Sequence, residues 1–251
     1  MSYYDSHLGV KFTYSPDNYW HTYRDFRLYP KEKPIISPPK AKTLTVDIPG
    51  ADGELDFTQS LTGDVHYENR KGTFKYSYFG KREMWDALWH RILSNLHGQR
   101  VKIELDEDPG GYYEGRVFFG NPQYDEDGKM FIEIEGDLDP YKKDSQSSLE
   151  PWIWDTFSFE NGVIRDYANI QVNGTTSLQI VGSKMPYYPD IIVKSGTVSV
   201  SYYVDGVQKT VSLVSGSNAT RTPDLVVRYE LKTLTFTGNG VVDVEYRGGT
   251  L

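Results

Sequence analysis

The chain has 251 residues, no cysteine and a formal net charge of −8, which excludes disulfide frameworks, thiol nucleophiles and cysteine-ligated zinc and disfavours nucleic-acid backbones or anionic membranes as partners of the whole protein. Aromatic residues make up 14% of it, beside 23 glycines and 13 prolines, the balance of strands joined by short turns, so a mainly β fold is expected. The N-terminus has no apolar signal-peptide core and no run approaches the ~18 apolar residues of a membrane span, so folding in a reducing cytoplasm is expected.

Residues 1–42 scatter Tyr3, Tyr4, Phe12, Tyr14, Tyr19, Trp20, Tyr23, Phe26 and Tyr29 among polar residues, and Pro30, Pro34, Pro38 and Pro39 follow. Phe12 and Tyr14 alternate as in a short strand, but the prolines exclude regular helix and central strand. An aromatic arm is expected, lying on its own domain or on a neighbouring subunit. Thr43 to Ile48 reads as a strand with Leu44, Val46 and Ile48 on one side, and the run Pro49-Gly50-Ala51-Asp52-Gly53 is a sharp reversal before Leu55. Residues 65–71 and 73–79 continue in extended form. From Lys81 to His97 the period changes: Met84, Trp85, Leu88, Trp89, Ile92, Leu93 and Leu96 recur at three and four, with Gly98 at the C-cap, predicting a helix over 81–97.

Residues 100–105 and 112–119 flank the acidic tip 106–111 as a hairpin, Asp125-Glu126-Asp127-Gly128 is a second tip, and residues 130–138 alternate cleanly. One helix on an antiparallel sheet or split barrel is expected for residues 1–142. A Ser-rich break at 143–151 reads as a linker. Beyond it, residues 152–251 show strand signals at 153–159, 177–181, 191–193, 197–204, 210–214, 225–230, 233–237 and 241–246, with turns at Asp205-Gly206 and Gly238-Asn239-Gly240. These predict a β-sandwich or jelly roll.

Chemistry finds little purchase. Asp52, Glu54, Asp56, Glu133, Glu135, Asp243 and Glu245 could be drawn into a glycosidase pair, but residues two apart on a strand share a face, as on an outer sheet surface. Asp125-x-Asp127-Gly128 lacks the glycine position of a calcium loop, and Asp106 to Asp108 is broken by Pro109. His90 and His97 have no carboxylate at ligand spacing. No phosphate-binding loop, dinucleotide fingerprint or nucleophile elbow occurs. No catalytic, cofactor-binding or metal-binding residue is therefore predicted, and no cofactor. Lys40, Lys42, Arg70, Lys71, Lys75, Lys81 and Arg82 read as solvated cations among acids. Trp152 and Trp154, with Tyr187, Tyr188, Tyr202 and Tyr203, raise sugar stacking, although strand alternation favours their burial between sheets. The sequons at Asn173 and Asn218 carry little weight in a cytoplasmic product.

The turn Pro49 to Leu55, the phrase Asp139-Pro140-Tyr141-Lys142 and the order around them (aromatic leader, turn, amphipathic helix, hairpin, second β domain) resemble the distal tail proteins of long-tailed, siphovirus-type bacteriophages. The resemblance covers essentially the whole chain. It implies a structural protein: an N-terminal domain building a hexameric ring at the tail tip, and a C-terminal galectin-like sandwich that docks other components. The partners it implies are the tail tube and tape-measure proteins, a tail-associated hub or lysin protein, and receptor-binding or baseplate proteins, with no membrane insertion and no nucleic acid bound through this chain. Edge strands and hairpin tips of the first domain are the expected ring contacts, with the aromatic arm and the Pro-rich connector behind them. The alternative is a carbohydrate-binding β-sandwich protein recognising host-surface glycans.

Overall fold

The fold is a computed structural model that describes residues 9–126, 129–151 and 164–251. It is mainly β and divides into two compact units, one of residues 1–108 with 112–140 and one of 109–111 with 141–251.

In the first unit, one antiparallel sheet runs β2 (Asn18–His21), β1 (Val10–Ser15), β8 (Arg100–Leu105), β9 (Asp108–Phe119), β11 (Met130–Leu138), β7 (Arg70–Tyr78) and β3 (Tyr29–Pro30). Two short strands lie beside it, β4 (Ile35–Ile36) on β7 and β10 (Gln123–Tyr124) on β11. Strands β7 and β11 pair in unbroken register from Met130 opposite Tyr78 to Leu138 opposite Arg70. Their alternation sends Phe74, Tyr76, Met130, Ile132 and Ile134 inward while Glu133 and Glu135 stay exposed. A 3-10 turn at Arg82–Met84 leads into helix α2 (Trp85–Leu96). Trp85, Leu88, Ile92 and Leu96 are its buried stripe, and they join Phe12, Phe74 and Ile103 in a single core. Gly98 follows in the left-handed region at φ 72°.

Three expectations change here. Met84 is 53% exposed, because it sits in the 3-10 turn ahead of the helix rather than on its buried stripe. The aromatic arm, over its described part, lies on its own domain, the first of the two expected places. Phe12, Phe26 and Leu28 are buried in the unit's own core, and β1 pairs with both β2 and β8. A second short helix, α1 (Thr22–Phe26), interrupts it, capped by the His21 side chain, whose Nδ1 accepts from Tyr23 N and Arg24 N. Finally, the turn of the β8–β9 hairpin is only Asp106-Glu107, with Leu105 opposite Asp108, and Asp108 to Gly111 belong to β9.

The second unit has a five-stranded sheet in the order β13 (Ile170–Ile180), β17 (Lys232–Glu245), β14 (Asp190–Val204), β15 (Val207–Ser212), with β16 (Gly216–Ser217) beside β14. Strand β12 (Lys142–Asp144) pairs with β18 (Gly249–Thr250). The Ser-rich stretch is thus drawn into this unit: Ser148 is buried, donates its hydroxyl to Val244 O at 2.7 Å and accepts from Tyr246 N at 2.8 Å. The predicted strand at 153–159, with Trp152 and Trp154, lies outside the described residues.

The stretch Gly238-Asn239-Gly240 is no hairpin turn. It lies inside β17, opposite Gly174 of β13 and Gly196 of β14. Gly174, Gly196 and Gly238 have φ of 79°, 85° and 131°, and a Cβ on Gly196, Gly238 or Gly240 would overlap the backbone of the adjacent strand. The glycines therefore build a corner across three strands. On β14 a bulge between Val193 and Ser195 accompanies it. Inward residues are Ile191 and Val193 before the bulge and Val198, Val200 and Tyr202 after it, and both halves feed one core. Residues 225–230 are likewise not a strand: Val227 makes a single bridge to Tyr187, while Leu225 and Val227 still fill the core. The turn at Asp205-Gly206 is as expected, both residues having positive φ.

The other face of this sheet is uncharged over several rows. Thr175, Thr237, Ser199 and Ser212 stand side by side across four strands, and Ser177, Thr235, Ser201 and Thr210 form the next row. Ser201 and Thr210 share a hydroxyl hydrogen bond at 2.8 Å.

Candidate assembly surface

Between β4 and β7 the chain leaves the sheet. A short stem is held by Ser37 N to Lys71 O, Glu68 N to Lys40 O and Lys42 N to His66 O, each 2.8 Å. Beyond it β5 (Thr45–Asp47) and β6 (Glu54–Asp56) form a separate two-stranded ribbon, with Val46 opposite Leu55. Its reversal is the turn read from the sequence: Ala51 N donates to Ile48 O, and Gly50 and Gly53 have φ of 85° and 77°. Phe57 N donates to Leu44 O at 2.7 Å and Leu44 N to Thr58 Oγ1 at 3.1 Å, so the pairing extends one step at the open end. The hydroxyl and amide of Thr58 hold the Asp56 carboxyl below its ordinary range.

Strand alternation gives the ribbon two unlike faces. Leu44, Val46, Ile48, Leu55 and Phe57 lie on one, and Thr45, Asp47, Glu54 and Asp56 on the other. All five apolar residues of the first face are exposed, with Val46 at 46% and Leu55 at 49%, and Leu61 just beyond is 89% exposed. None belongs to either core. A lone two-stranded ribbon is marginal in water and a contiguous apolar face marks an interaction site, so this segment is shaped for a surface outside its own fold.

The other sequence candidates have structural occupations. Asp52, Glu54 and Asp56 sit on the exposed ribbon and Glu133 and Glu135 on the open face of β11, while Asp243 is buried, salt-bridged to Lys194 at 2.8 Å and accepting from Asn169 N at 2.7 Å. Glu245 pairs across from Asp190. His90 is exposed, and His97 Nδ1 accepts from Phe119 N at 3.1 Å. Asp125 closes its turn by accepting from Lys129 N, with Asp127 and Gly128 outside the described residues. Among the described residues no group of three or more His, Asp or Glu is placed to hold a metal, and no helix is long and apolar enough to cross a membrane. Arg70 is buried, with Nε on Ser37 O and Nη1 on Pro140 O. Lys75 is hydrogen-bonded to Glu32 at 2.9 Å, which raises its pKa.

In the second unit Tyr202 is buried and donates its hydroxyl to Asp224 Oδ1 at 2.7 Å, while Lys209 holds the other carboxylate oxygen. Burial, then Asp224, push the Tyr202 hydroxyl up, and Lys209, then Tyr202, pull Asp224 down. Tyr188 and Tyr203 are exposed. Asn218 is fully buried and its side chain bonds Val214 N, Ile191 O, Val214 O and Gly216 O. That sequon is a loop organiser closed to modification.

Sequence reasoning missed His21. It is 3% exposed and its Nε2 lies 3.0 Å from Asp106 Oδ2. The available signal was Asp25, four residues on, whose carboxylate accepts from His21 N at 2.6 Å as a reciprocal cap.

No protein-family model matches the chain, and no curated protein matches it. Among solved structures, six chains match. One is the crystal structure of the SPP1 Dit (gp 19.1) protein, described as a paradigm of the hub adsorption apparatus in phages infecting Gram-positive hosts. It is 11% identical, with a TM-score of 0.62 over 96% of this chain and 99% of that one. The mainly β architecture read from the sequence is therefore the fold of a phage Dit protein, shared from end to end.

Proposed function

We propose that the protein is a structural subunit of a bacteriophage tail tip, a distal tail hub that assembles as a hexameric ring and links the tail tube to the host-adhesion apparatus. The observation that carries this reading is the likeness to SPP1 Dit over nearly the full length of both chains. The exposed apolar face of the β5–β6 ribbon supports an assembly role, since it has no partner in its own core. In this reading residues 1–142 build the ring and the second domain, 152–251, docks adhesion or baseplate proteins. The tube and tape-measure proteins lie above, a tail-associated hub or lysin protein lies below, and the work is assembly rather than turnover. The chain is made in the host cytoplasm and ends at the virion tail tip. Gold-labelled antibody against the chain should decorate the tail tip of intact virions, and native mass spectrometry should find six copies in assembled rings. Label on capsids, or on no virion structure, rejects the reading.

A second reading rests on the uncharged hydroxyl rows of the second unit. Their donors and acceptors, with Tyr203 exposed on β14, suit a neutral glycan. Binding on a glycan array that is lost in Thr235→Lys would support it, and an array with no signal would remove it.

A further inference from the structure

Strand β13 is an outermost strand of the second unit's sheet. Among the described residues it pairs on one side only, with β17, through all eleven of its positions. Edges of that length are ordinarily blunted by proline, lysine or an inward charge. β13 has none of these, its sequence being Ile-Gln-Val-Asn-Gly-Thr-Thr-Ser-Leu-Gln-Ile. The opposite edge, β15, has six residues and carries Lys209.

The β13 sequence reads nearly alike in both directions about Thr175. Antiparallel pairing centred there sets Ile170 opposite Ile180, Gln171 opposite Gln179, Val172 opposite Leu178 and Asn173 opposite Ser177. This register also respects the faces, because residues set opposite each other stand an even number of positions apart. Val172 and Ile180 are buried, and Ile170 and Leu178 are half-buried against the same core, whereas Gln171, Asn173, Thr175, Ser177 and Gln179 are exposed on the hydroxyl face. Apolar residues therefore meet apolar ones, and amides and hydroxyls meet their like. The nearest charged residues outside the strand are Asp166 before it and Lys184 after it, each four positions away. Each end of the pair thus receives an acid and a cation instead of like charges.

We propose that β13 is a self-pairing edge, which joins the second units of two copies of this chain across a two-fold axis at Thr175. Only this register engages all eleven residues of both strands. The row Thr175, Thr237, Ser199 and Ser212 then runs on into the same row of the other copy, and the half-buried Ile170 and Leu178 gain apolar neighbours across the joint. Such a contact is isologous and closes at two. It cannot recur between successive neighbours of a ring, so it stands apart from the ring reading. It pairs chains outside a ring and covers an edge that would otherwise accept strands indiscriminately.

The absence of cysteine makes a clean test. At the axis the two Thr175 Cα atoms would lie about 4.5–5.5 Å apart, within disulfide reach. Mild oxidation of full-length Thr175→Cys should therefore give a covalent dimer on a non-reducing gel. Asn173→Cys and Ser177→Cys each place their own counterpart about 13 Å along the strand, so neither should crosslink alone, but a mixture of the two should. All three positions are exposed, and melting temperatures matching the parent's confirm folding. Failure of Thr175→Cys to crosslink, or equal crosslinking of all three single variants, would overturn the pairing, and a Thr175→Cys dimer with no product from the mixture would overturn the register. Adding Gln171→Lys/Gln179→Lys to Thr175→Cys sets cations face to face and should slow crosslinking by about tenfold or more. Gln171→Lys/Gln179→Glu in their place should restore it, and failure to do so would also overturn the register. These outcomes leave the labelling of virion tails unaffected, so the two readings stand or fall separately.

Discussion

His21 and Asp106 are 85 residues apart in sequence and 3.0 Å apart in the fold, and the backbone settles the histidine's tautomer. Nδ1 is occupied as acceptor of Tyr23 N and Arg24 N, so the proton sits on Nε2 and points at the Asp106 carboxylate. One side chain thus caps α1 and ties it to the β8–β9 turn.

His21→Ala should therefore destabilise the first unit by about 1–3 kcal/mol in a denaturant titration, losing a cap and a buried hydrogen bond together. His21→Asn, able to cap but too short to reach Asp106, should cost less. Nitrogen chemical shifts should report the Nε2–H form, and equal losses in the two variants would show that capping is not the larger part.

On α2, Ile92 is completely buried, whereas Ser94 is exposed. Ile92→Ala should cost on the order of 2–5 kcal/mol and Ser94→Ala within ~0.5. Arg91 is no neutral control, because its guanidinium lies 5.1 Å from the Trp20 ring centre and 5.4 Å from that of Phe26. Comparable effects at 92 and 94 would dismiss the packing of the helix on the sheet.

Asp224, held below its ordinary pKa first by Lys209 and then by Tyr202, makes stability depend on pH with a definite sign. A depressed folded pKa contributes stability that is present above the unfolded value of 3.8 and is lost as pH falls through the folded one. Asp224→Asn should lower stability at pH 7 and flatten the acid limb below about pH 4. An unchanged acid limb would mean the carboxylate is not differentially stabilised by the fold.

Thermolysin should cut the dissociated chain first at the exposed apolar residues of the ribbon, around Phe57 and Leu61, ahead of the Ser-rich stretch where Ser148 is buried. Assembly should protect those bonds. Early cleavage between residues 142 and 150, with the ribbon intact, would reverse this order.

Much of the fold was legible because local and tertiary preferences agree along it. Residues 100–105 and 130–138 alternate so regularly that their strands match the structure end for end, and the α2 stripe follows its period. Misreadings came where one signal serves two geometries. Gly238-Asn239-Gly240 has the chemistry of a hairpin turn, but three neighbouring strands carry glycines at the same level and turn it into a corner. The aromatic leader has no clean period because β1, β2 and α1 succeed one another within seventeen residues from Val10 to Phe26, and its burial comes from partners such as Ile103, far along the chain. In the ribbon, Leu44, Val46 and Ile48 read as an ordinary strand. Nothing in their alternation says that the face they share is left outside the core.

The corner also addresses a difficulty of the hydroxyl face. Rows of Thr and Ser repeat with so little individuality that sliding one strand by two residues would leave nearly the same surface, and such strands are weakly registered. Gly196, Gly238 and Gly240 remove that freedom, because a slip of β14 against β17 brings a side chain into a place where only hydrogen fits. They act as alignment marks, letting the sheet keep a uniform, chemically quiet exterior and still have a single way to assemble.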